Sequence, residues 1–383
     1  METNTYPLVA INAHLLAGDA SYRSAGIAAY IAQLLRYLPS AEATLRYTVF
    51  LGQGQLPEGV SLSVQRSAWP TRNPYARILW EQLALPWALR RADVALLHAP
   101  AFVGPLLSFC PQVITVHDLS FLRYPALFKR GNRYYLSLFT RLACRRAAAV
   151  IAVSAFTARE VTALLGVPPA RVHVVHHGVE SRFRPLPEEM AAHFRAEQGL
   201  PERFILHLGT LEPRKNLIAL VQAFALLPDP EVHLVLAGGK GWFYEDIFAE
   251  VARLGLQARV HFPGYVPAEM QELWYNAAHI FAYVSHYEGF GLPVLEALAC
   301  GVPTLIGDAP ALTEVAGDAA LVAERTEPAA IAAGLQRLLD APDLRAALRA
   351  RGLARAAAFT WEATAQQTAA VYRQVLGRRE VSS

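Results

Sequence analysis

Short apolar runs recur along the chain, each followed by a longer stretch with helical periodicity. In the first half they read "LVAINA", "YTVFLG", "VALLHA", "QVITVHD", "AVIAVS" and "RVHVVHHG". Between them, residues 26–38, 75–90, 130–146 and 155–165 carry apolar positions at helical spacing. The second half repeats the theme with "FILHLG", "HLVLAG", "RVHFPG", "IFAYVS", "PTLIG" and "AALVA". Runs that are apolar at nearly every position predict strands buried on both faces, hence parallel sheets covered by helices. The expected class is therefore α/β, with two doubly wound, Rossmann-like domains. The carboxyl ends of both sheets are expected to face a cleft, where ligands of such sheets bind.

The first series ends in "GVESRFRPLPEEM", residues 178–190, a charged and proline-rich stretch. This predicts domains at 1–182 and 183–360, and a separate C-terminal helical segment at 361–383. The 383-residue length suits two domains, and 54% hydrophobic against 17% charged residues excludes disorder. A formal charge of +3 gives no ground for a nucleic-acid partner. Cys110, Cys144 and Cys300 lack C-x-x-C spacing, so neither a disulfide framework nor a zinc site is expected. The opening "METNTYPLVAINAHLL" has no basic n-region, so no secretory signal is expected. Residues 94–116 contain no Asp, Glu, Lys or Arg, but Pro100, Gly104, Pro105 and Pro111 interrupt them. Two buried strands joined by a proline-rich loop explain that stretch, and the expectation is a soluble, cytoplasmic protein.

Two loops look suited to an anion. In "LGTLEPRKNL" a strand runs into a helix near Asn216, and Arg214 and Lys215 stand at the start of that helix. Cations there are unfavourable beside the positive end of the helix dipole unless an anion joins them, and together they suit a diphosphate. In "YEGFGLPVLEALACG", Gly289 and Gly291 permit close backbone approach, and Pro293 pre-sets the first helical turn. Glu288 and Glu296 flank that glycine loop. Glu296, read as lying in the first turn, could instead simply complement the dipole. No P-loop, no G-x-G-x-x-G and no Asp-x-Asp occurs, so neither a dinucleotide site nor a metal holding phosphates is expected.

This last segment resembles the donor site of the retaining glycosyltransferases of family 4, which have the GT-B fold and an E-x7-E hallmark. Here that motif is Glu288 and Glu296. "GTLEPRKN" is similar to the family's diphosphate loop, "TVHDLSFLRYP" to its acceptor-domain histidine segment, and "WEATAQQTAAVYRQVL" to its closing helix, which crosses back to the first domain. The resemblance implies that Glu296 holds the ribose hydroxyls and that Glu288 lies by the donor sugar. It places backbone groups of Gly289, Phe290, Gly291 and Leu292 near the diphosphate or sugar, and Tyr265 and Val266 at the base. Arg214, Lys215 and Gly26 would serve the diphosphate, and His117 the reacting centre on the acceptor side. The implied activity is retaining, metal-independent transfer from a nucleoside-diphosphate sugar to a glycan or lipid-linked acceptor hydroxyl, with no cofactor. Two departures stand out: Ala28 replaces a second loop glycine after Gly26, and Thr210 replaces an arginine. The "EPRKN" variant is similar to that of mannosyltransferases of surface polysaccharide, which points to a GDP-mannose-like donor.

Residues 119–159 contain no acid, yet hold Arg123, Lys129, Arg130, Arg133, Arg141, Arg145, Arg146 and Arg159. Phe121, Tyr124, Phe128, Tyr134, Tyr135 and Phe139 are interleaved with them. Such a surface suits peripheral contact with an anionic membrane, or else is one solvated helix face over a buried aromatic one. Rival readings are a nucleotide-sugar epimerase, a phosphorylase using Lys215 or Lys240 for a Schiff base, and a non-catalytic nucleotide-sugar-binding protein.

Overall fold

In the computed structural model, which describes residues 6–16, 25–71, 73–127 and 130–380, the chain divides into two units. One comprises Met1–Gly178 with Trp361–Ser383, the other Val179–Thr360. The boundary expected at 182 thus falls four residues earlier, and the C-terminal helix is part of the first unit. Residues 1–5 of the opening stretch, and Phe128 and Lys129 of the basic stretch, lie outside the described residues, as does the Arg130 side chain.

The first unit holds β1 (Leu8–Asn12), β2 (Arg46–Leu51), β3 (Ser63–Arg66), β4 (Leu96–Ala99), β5 (Gln112–Val116), β6 (Ala149–Ala152) and β7 (Val172–Val174). They form one sheet in the order β3-β2-β1-β4-β5-β6-β7, and each pairing is parallel. β3 was not expected. Its sequence, Ser-Val-Gln-Arg, lies at the sheet edge, largely in water, and so carries no apolar run. The second unit holds β8 (Phe204–Leu208), β9 (His233–Ala237), β10 (Val260–Gly264), β11 (Ile280–Tyr283), β12 (Thr304–Gly307) and β13 (Leu321–Ala323), in the order β10-β9-β8-β11-β12-β13, again parallel. Central strands β4, β5, β6, β8, β11 and β12 are buried at every position, which is why they read as continuous apolar runs. Strand order reverses between β1 and β4 in one sheet and between β8 and β11 in the other. Loops leaving those strands are where such sheets bind ligands.

The helix Trp361–Glu380 puts Trp361, Ala365, Ala369, Tyr372 and Val375 into the first unit's core with Tyr30, Ile31 and Leu34. The Tyr372 hydroxyl lies 2.5 Å from His98 Nδ1, whose ring also meets the Thr115 hydroxyl at 2.8 Å. The helix expected at 75–90 runs from Pro74 to Arg91, but in three pieces: α-helical Pro74–Leu79, a π turn at Trp80–Ala84, and α-helical Leu85–Arg91. Asn73 caps its start through Oδ1, which accepts from Tyr75 N and Ala76 N. The π turn has a cause in the sequence. Pro86 lacks an N–H, and in a continuous α-helix its ring would strike the carbonyl of Gln82; widening the preceding turn relieves this.

Candidate active site

The loop after β8 is built against its neighbour after β9. Gly209 N donates to Ala237 O, Leu211 N to Gly239 O, and Gly241 N to Leu211 O, at 2.9, 2.9 and 3.0 Å. At Gly238, with φ +149°, a Cβ would lie 1.8 Å from Gly209 O, so only glycine fits. Pro213–Lys215 then forms one 3-10 turn, and Asn216 closes it in the left-handed region at φ +58°. The Asn216 side chain donates to Val284 O and Arg325 O, at 3.2 and 2.7 Å, while His286 N donates to Arg214 O at 2.9 Å. These bonds bring Arg214 and Lys215 beside the loop that leaves β11.

Glu288 sits on that second loop. Lys215 Nζ donates to Glu288 Oε1 at 2.6 Å and to the Tyr283 hydroxyl at 2.5 Å, and that hydroxyl donates onward to Glu288 Oε1 at 3.2 Å. Arg214 Nη1 reaches Glu288 Oε2 at 3.2 Å, and its Nε donates to Glu212 Oε1 at 3.0 Å. Burial works against a charge on Glu288, but Lys215 and Arg214 outweigh it and hold the carboxyl at a pKa of about 2. Burial likewise opposes charge on Lys215, and Glu288 and Tyr283 overcome it, so the ammonium is held above its ordinary range. Two cations thus meet two carboxylates at the switch point. This differs from the expected pair of uncompensated cations at a helix start. The nearby backbone donors are also engaged, Lys215 N with Glu212 O and Asn216 N with Pro213 O, both at 3.0 Å. His207 completes the surroundings, stacked on Tyr283 with centroids 5.2 Å apart and Nε2 buried without a partner among the described residues.

Glu296 is not where the sequence suggested. The helix Leu292–Ala299 starts early enough that Glu296 falls in its second turn, beyond the reach of the dipole's first turn. Dipole complementation therefore does not explain it. Its Oε2 accepts from the Tyr275 hydroxyl at 2.7 Å, and burial raises its pKa to about 7 against that bond and the charge of Arg182. Gly291 caps the helix at φ +110°, where a Cβ would meet Leu312 Cδ2 at 2.7 Å. The Phe290 ring packs on Phe359 with centroids 6.0 Å apart, leaving its backbone to line the loop with Gly289 and half-buried Leu292. Just past β10, the Tyr265 side chain is 51% exposed whereas Val266 is buried, so Tyr265 alone offers a side chain to a ligand.

In the first unit, His117 follows β5. Its Nε2 lies 2.7 Å from Pro100 O, and since a carbonyl only accepts, Nε2 carries the proton and Nδ1 the lone pair. Burial lowers its pKa, so the ring is neutral. The His177 ring stacks on it at 5.5 Å, and Tyr30 and Phe102 meet it edge-on at 4.9 and 5.7 Å. The charge of neighbouring Asp118 works against that lowering, while Asp118 Oδ1 itself accepts from Ser120 N and Oγ. Gly26 lies in the helix Ala25–Ala41, and a Cβ there would meet nothing within 4 Å among the described residues.

Residues 191–355 match the family model "Glycosyl transferases group 1", and residues 24–183 match "Glycosyltransferase Family 4". Over 291 residues the chain is 34% identical to O-antigen chain mannosyltransferase B of Escherichia coli, covering 75% of this chain and 76% of that protein. The chain belongs to the group 1 glycosyltransferases. It is an enzyme of the GT-B fold class, as are its structural neighbours. The glycosyltransferase is also 34% identical over 269 residues to D-inositol 3-phosphate glycosyltransferase of Thermobispora bispora, covering 66% of this chain and 60% of that one. Sucrose-phosphate synthase of Thermosynechococcus elongatus superposes with a TM-score of 0.79 at 22% identity, covering 97% of this chain and all of that one. HepE of Anabaena in complex with UDP and glucose gives 0.76 at 20% identity, covering 96% and 100%.

Several residues around Glu288 and Glu296 in this glycosyltransferase are not singled out by the sequence. Tyr283 and His207 are polar-tipped residues inside apolar runs, and that is the only signal they give; Glu212 lies within "GTLEPRKN" but is not marked out there, and Tyr275, the partner of Glu296, stands in an unremarkable helical stretch. Among the described residues no group of three or more His, Cys, Asp or Glu is placed to hold a metal ion. None of the helices searched is long and apolar enough to cross a membrane. In the basic stretch, Arg123 pairs with Glu160 at 2.6 Å, and Arg141 and Arg145 donate to Leu164 O and Leu165 O.

Proposed function

We propose that this glycosyltransferase moves mannose from a GDP-mannose-like donor to a hydroxyl of a glycan or lipid-linked glycan, retaining the anomeric configuration and using no metal. The observation that carries the reading is the cluster of Arg214, Lys215, Glu288 and Tyr283 at the β8/β11 switch point, where buried Lys215 and half-buried Arg214 are already held in place. A diphosphate entering there takes over hydrogen bonds from Arg214 and Lys215 and frees Glu288 toward the donor sugar's hydroxyls. Glu296 accepts from the ribose diol, and Tyr265 covers the base. In the transfer step the bond from the anomeric carbon to the phosphate oxygen breaks on the face where the acceptor oxygen bonds. The acceptor's proton passes to the departing phosphate, whose growing charge the two cations stabilise. His117, neutral and with a lone pair on Nδ1, accepts from a sugar hydroxyl. The name of the Escherichia coli relative supports mannose and an O-antigen chain as the acceptor. Work at the inner face of an anionic membrane is supported by the basic, aromatic stretch 119–159 of this chain.

A Schiff-base phosphorylase is disfavoured by the geometry of Lys215. Its amine is charged and shared between Glu288 and Tyr283, and a charged amine is not a nucleophile. The test is incubation with GDP-, UDP- and ADP-sugars and an acceptor glycan, followed by NMR of the product's anomeric proton. Release of GDP from GDP-mannose in the presence of EDTA, with the donor's anomeric configuration in the product, is the expected result. An inverted product or an absolute metal requirement overturns the mechanism.

A further inference from the structure

Helix 74–91 has two apolar faces, and only one is used by the fold. Trp80, Leu85 and Leu89 face inward, in a cluster with Ala10, Phe50, Val94 and Leu97. On the other side Tyr75, Leu79, Leu83 and Trp87 are 79%, 52%, 60% and 62% exposed. Their four-residue spacing overshoots the roughly 3.6 residues of an α-turn, so in a regular helix they would spiral away from one another. The π turn at Trp80–Ala84 is wider and turns the phase back, which reduces that drift. The stripe continues beyond the helix. Phe109, itself exposed, lies 5.7 Å from the Trp87 ring, and Leu107 beside it is 74% exposed. Gln82 ties this loop to the helix, accepting from Leu106 N and donating to Gly104 O. Helix 130–146 adjoins through the Tyr135 hydroxyl, 3.5 Å from Glu81 Oε2, and exposes Tyr134 and Leu138.

Arginines frame this apolar surface. Arg90 stacks over Phe109 at 5.0 Å, and Arg146 donates to Leu106 O. Arg77, Arg91 and Arg133 add to the positive charge of these segments, while Arg141 and Arg145 donate to Leu164 O and Leu165 O; the acids are the buried Glu81 and, just past the helix, the exposed Asp93. Monomeric proteins rarely leave a continuous apolar patch of this kind in water. A second copy of the chain is a poor cover, because a two-fold contact would set one arginine-rich rim against another.

We infer that the outer face of helix 74–91, with the loop 104–109, inserts into the headgroup boundary of an anionic bilayer, its aromatic and leucine side chains entering while the arginines bind lipid phosphates. Leu and Trp on one side with Arg at the rim is the pattern of an interfacial helix, and each cation near the surface contributes about 1 kcal/mol. The assignment rests on the membrane association proposed above and moves its apolar anchor outside the basic stretch 119–159.

Flotation with phosphatidylcholine vesicles, with and without phosphatidylglycerol, tests it. Binding is expected only to the anionic vesicles and weakens with salt, and Leu79→Asp or Leu83→Asp reduces partitioning about tenfold or more. Brominated lipid is expected to quench tryptophan fluorescence in the native chain, with that quenching largely lost in Trp87→Phe. Melting temperatures equal to the native chain's establish that these surface variants fold. Leucine variants that bind as well as the native chain overturn the assignment. If Arg133→Glu with Arg141→Glu still abolishes binding in that case, membrane association survives and only its anchor is wrong. A native chain that ignores both vesicles overturns the assignment and the association together. Sedimentation showing a dimer dispersed by Leu83→Asp would then make the stripe a contact between copies. Sugar transfer is read separately by the nucleotide-release assay.

Discussion

Lys215 Nζ lies 2.6 Å from Glu288 Oε1 across 73 residues of sequence, with about a tenth of each side chain in water. Breaking such a pair from one side leaves a buried charge without its counter-ion, which costs about 3–5 kcal/mol. Glu288→Gln is therefore expected to lower stability in urea unfolding by that order. Glu288→Gln combined with Lys215→Met should cost less than the sum of the single changes, because the double variant removes both charges.

The same pair sets the acid limb of stability. Glu288 titrates at about 2 in the folded chain against an ordinary 4.5, so it contributes fully above pH 4.5 and the contribution is lost as pH falls toward 2. The amount is about 3 kcal/mol. Unfolding free energies measured across this window should fall steeply in the native chain and more gently in Glu288→Gln.

Between pH 4.5 and 7 the sign reverses. Burial raises Glu81 and Glu296 to about 7 in the folded chain. In this window the folded chain keeps protons that the unfolded chain has released, so stability falls as pH rises and levels off above 7. Glu81, buried against Asn12 Nδ2 at 2.9 Å, contributes most of the slope, about 3 kcal/mol over the window, and half-buried Glu296 less. Glu81→Gln and Glu296→Gln should each flatten the profile.

Nucleotide and turnover should separate in two variants. A nucleoside diphosphate at 100 times its dissociation constant adds about 2.7 kcal/mol of stability. Glu296→Ala is expected to lose most of that increment in a thermal-shift assay. His117→Ala should keep it and lose sugar transfer. Full transfer by His117→Ala would remove the role given to that histidine.

Gly291 is a conformational requirement. At φ +110°, with Leu312 Cδ2 2.7 Å from where a Cβ would stand, Gly291→Ala meets both backbone strain and a clash. A loss of about 1–3 kcal/mol is expected in thermal or urea unfolding.

Much of this architecture could be read from the chain because fully buried parallel strands leave continuous apolar runs. β3 could not, since an exposed edge strand of Ser-Val-Gln-Arg has no reason to be apolar. Nor could the π turn, because helical periodicity continues through Pro86 and only steric conflict reveals the break. Glu288 and Glu296 stand out as two acids around a glycine loop, yet their partners do not. Tyr283 and Tyr275 look like any aromatic in a core segment, and pairing of Glu288 with Lys215 depends on which strands are neighbours. A helix start at Leu292, one residue before the proline that marks it in the sequence, puts Glu296 in the second turn and changes which physical explanation applies.

The helix Trp361–Glu380 belongs to the unit that the chain begins, with all 182 residues of Val179–Thr360 intervening. At about 5–20 residues per second, a ribosome needs roughly 10–40 s to make that intervening length. Throughout it, Tyr30, Ile31 and Leu34 lack the side chains that complete their core, and His98 lacks Tyr372. The segment translated first is thus finished last, while the later segment can reach its native state before termination. A premature stop at the end of Thr360 would release a chain whose second unit is intact and whose first unit exposes a greasy trough to chaperones and proteases.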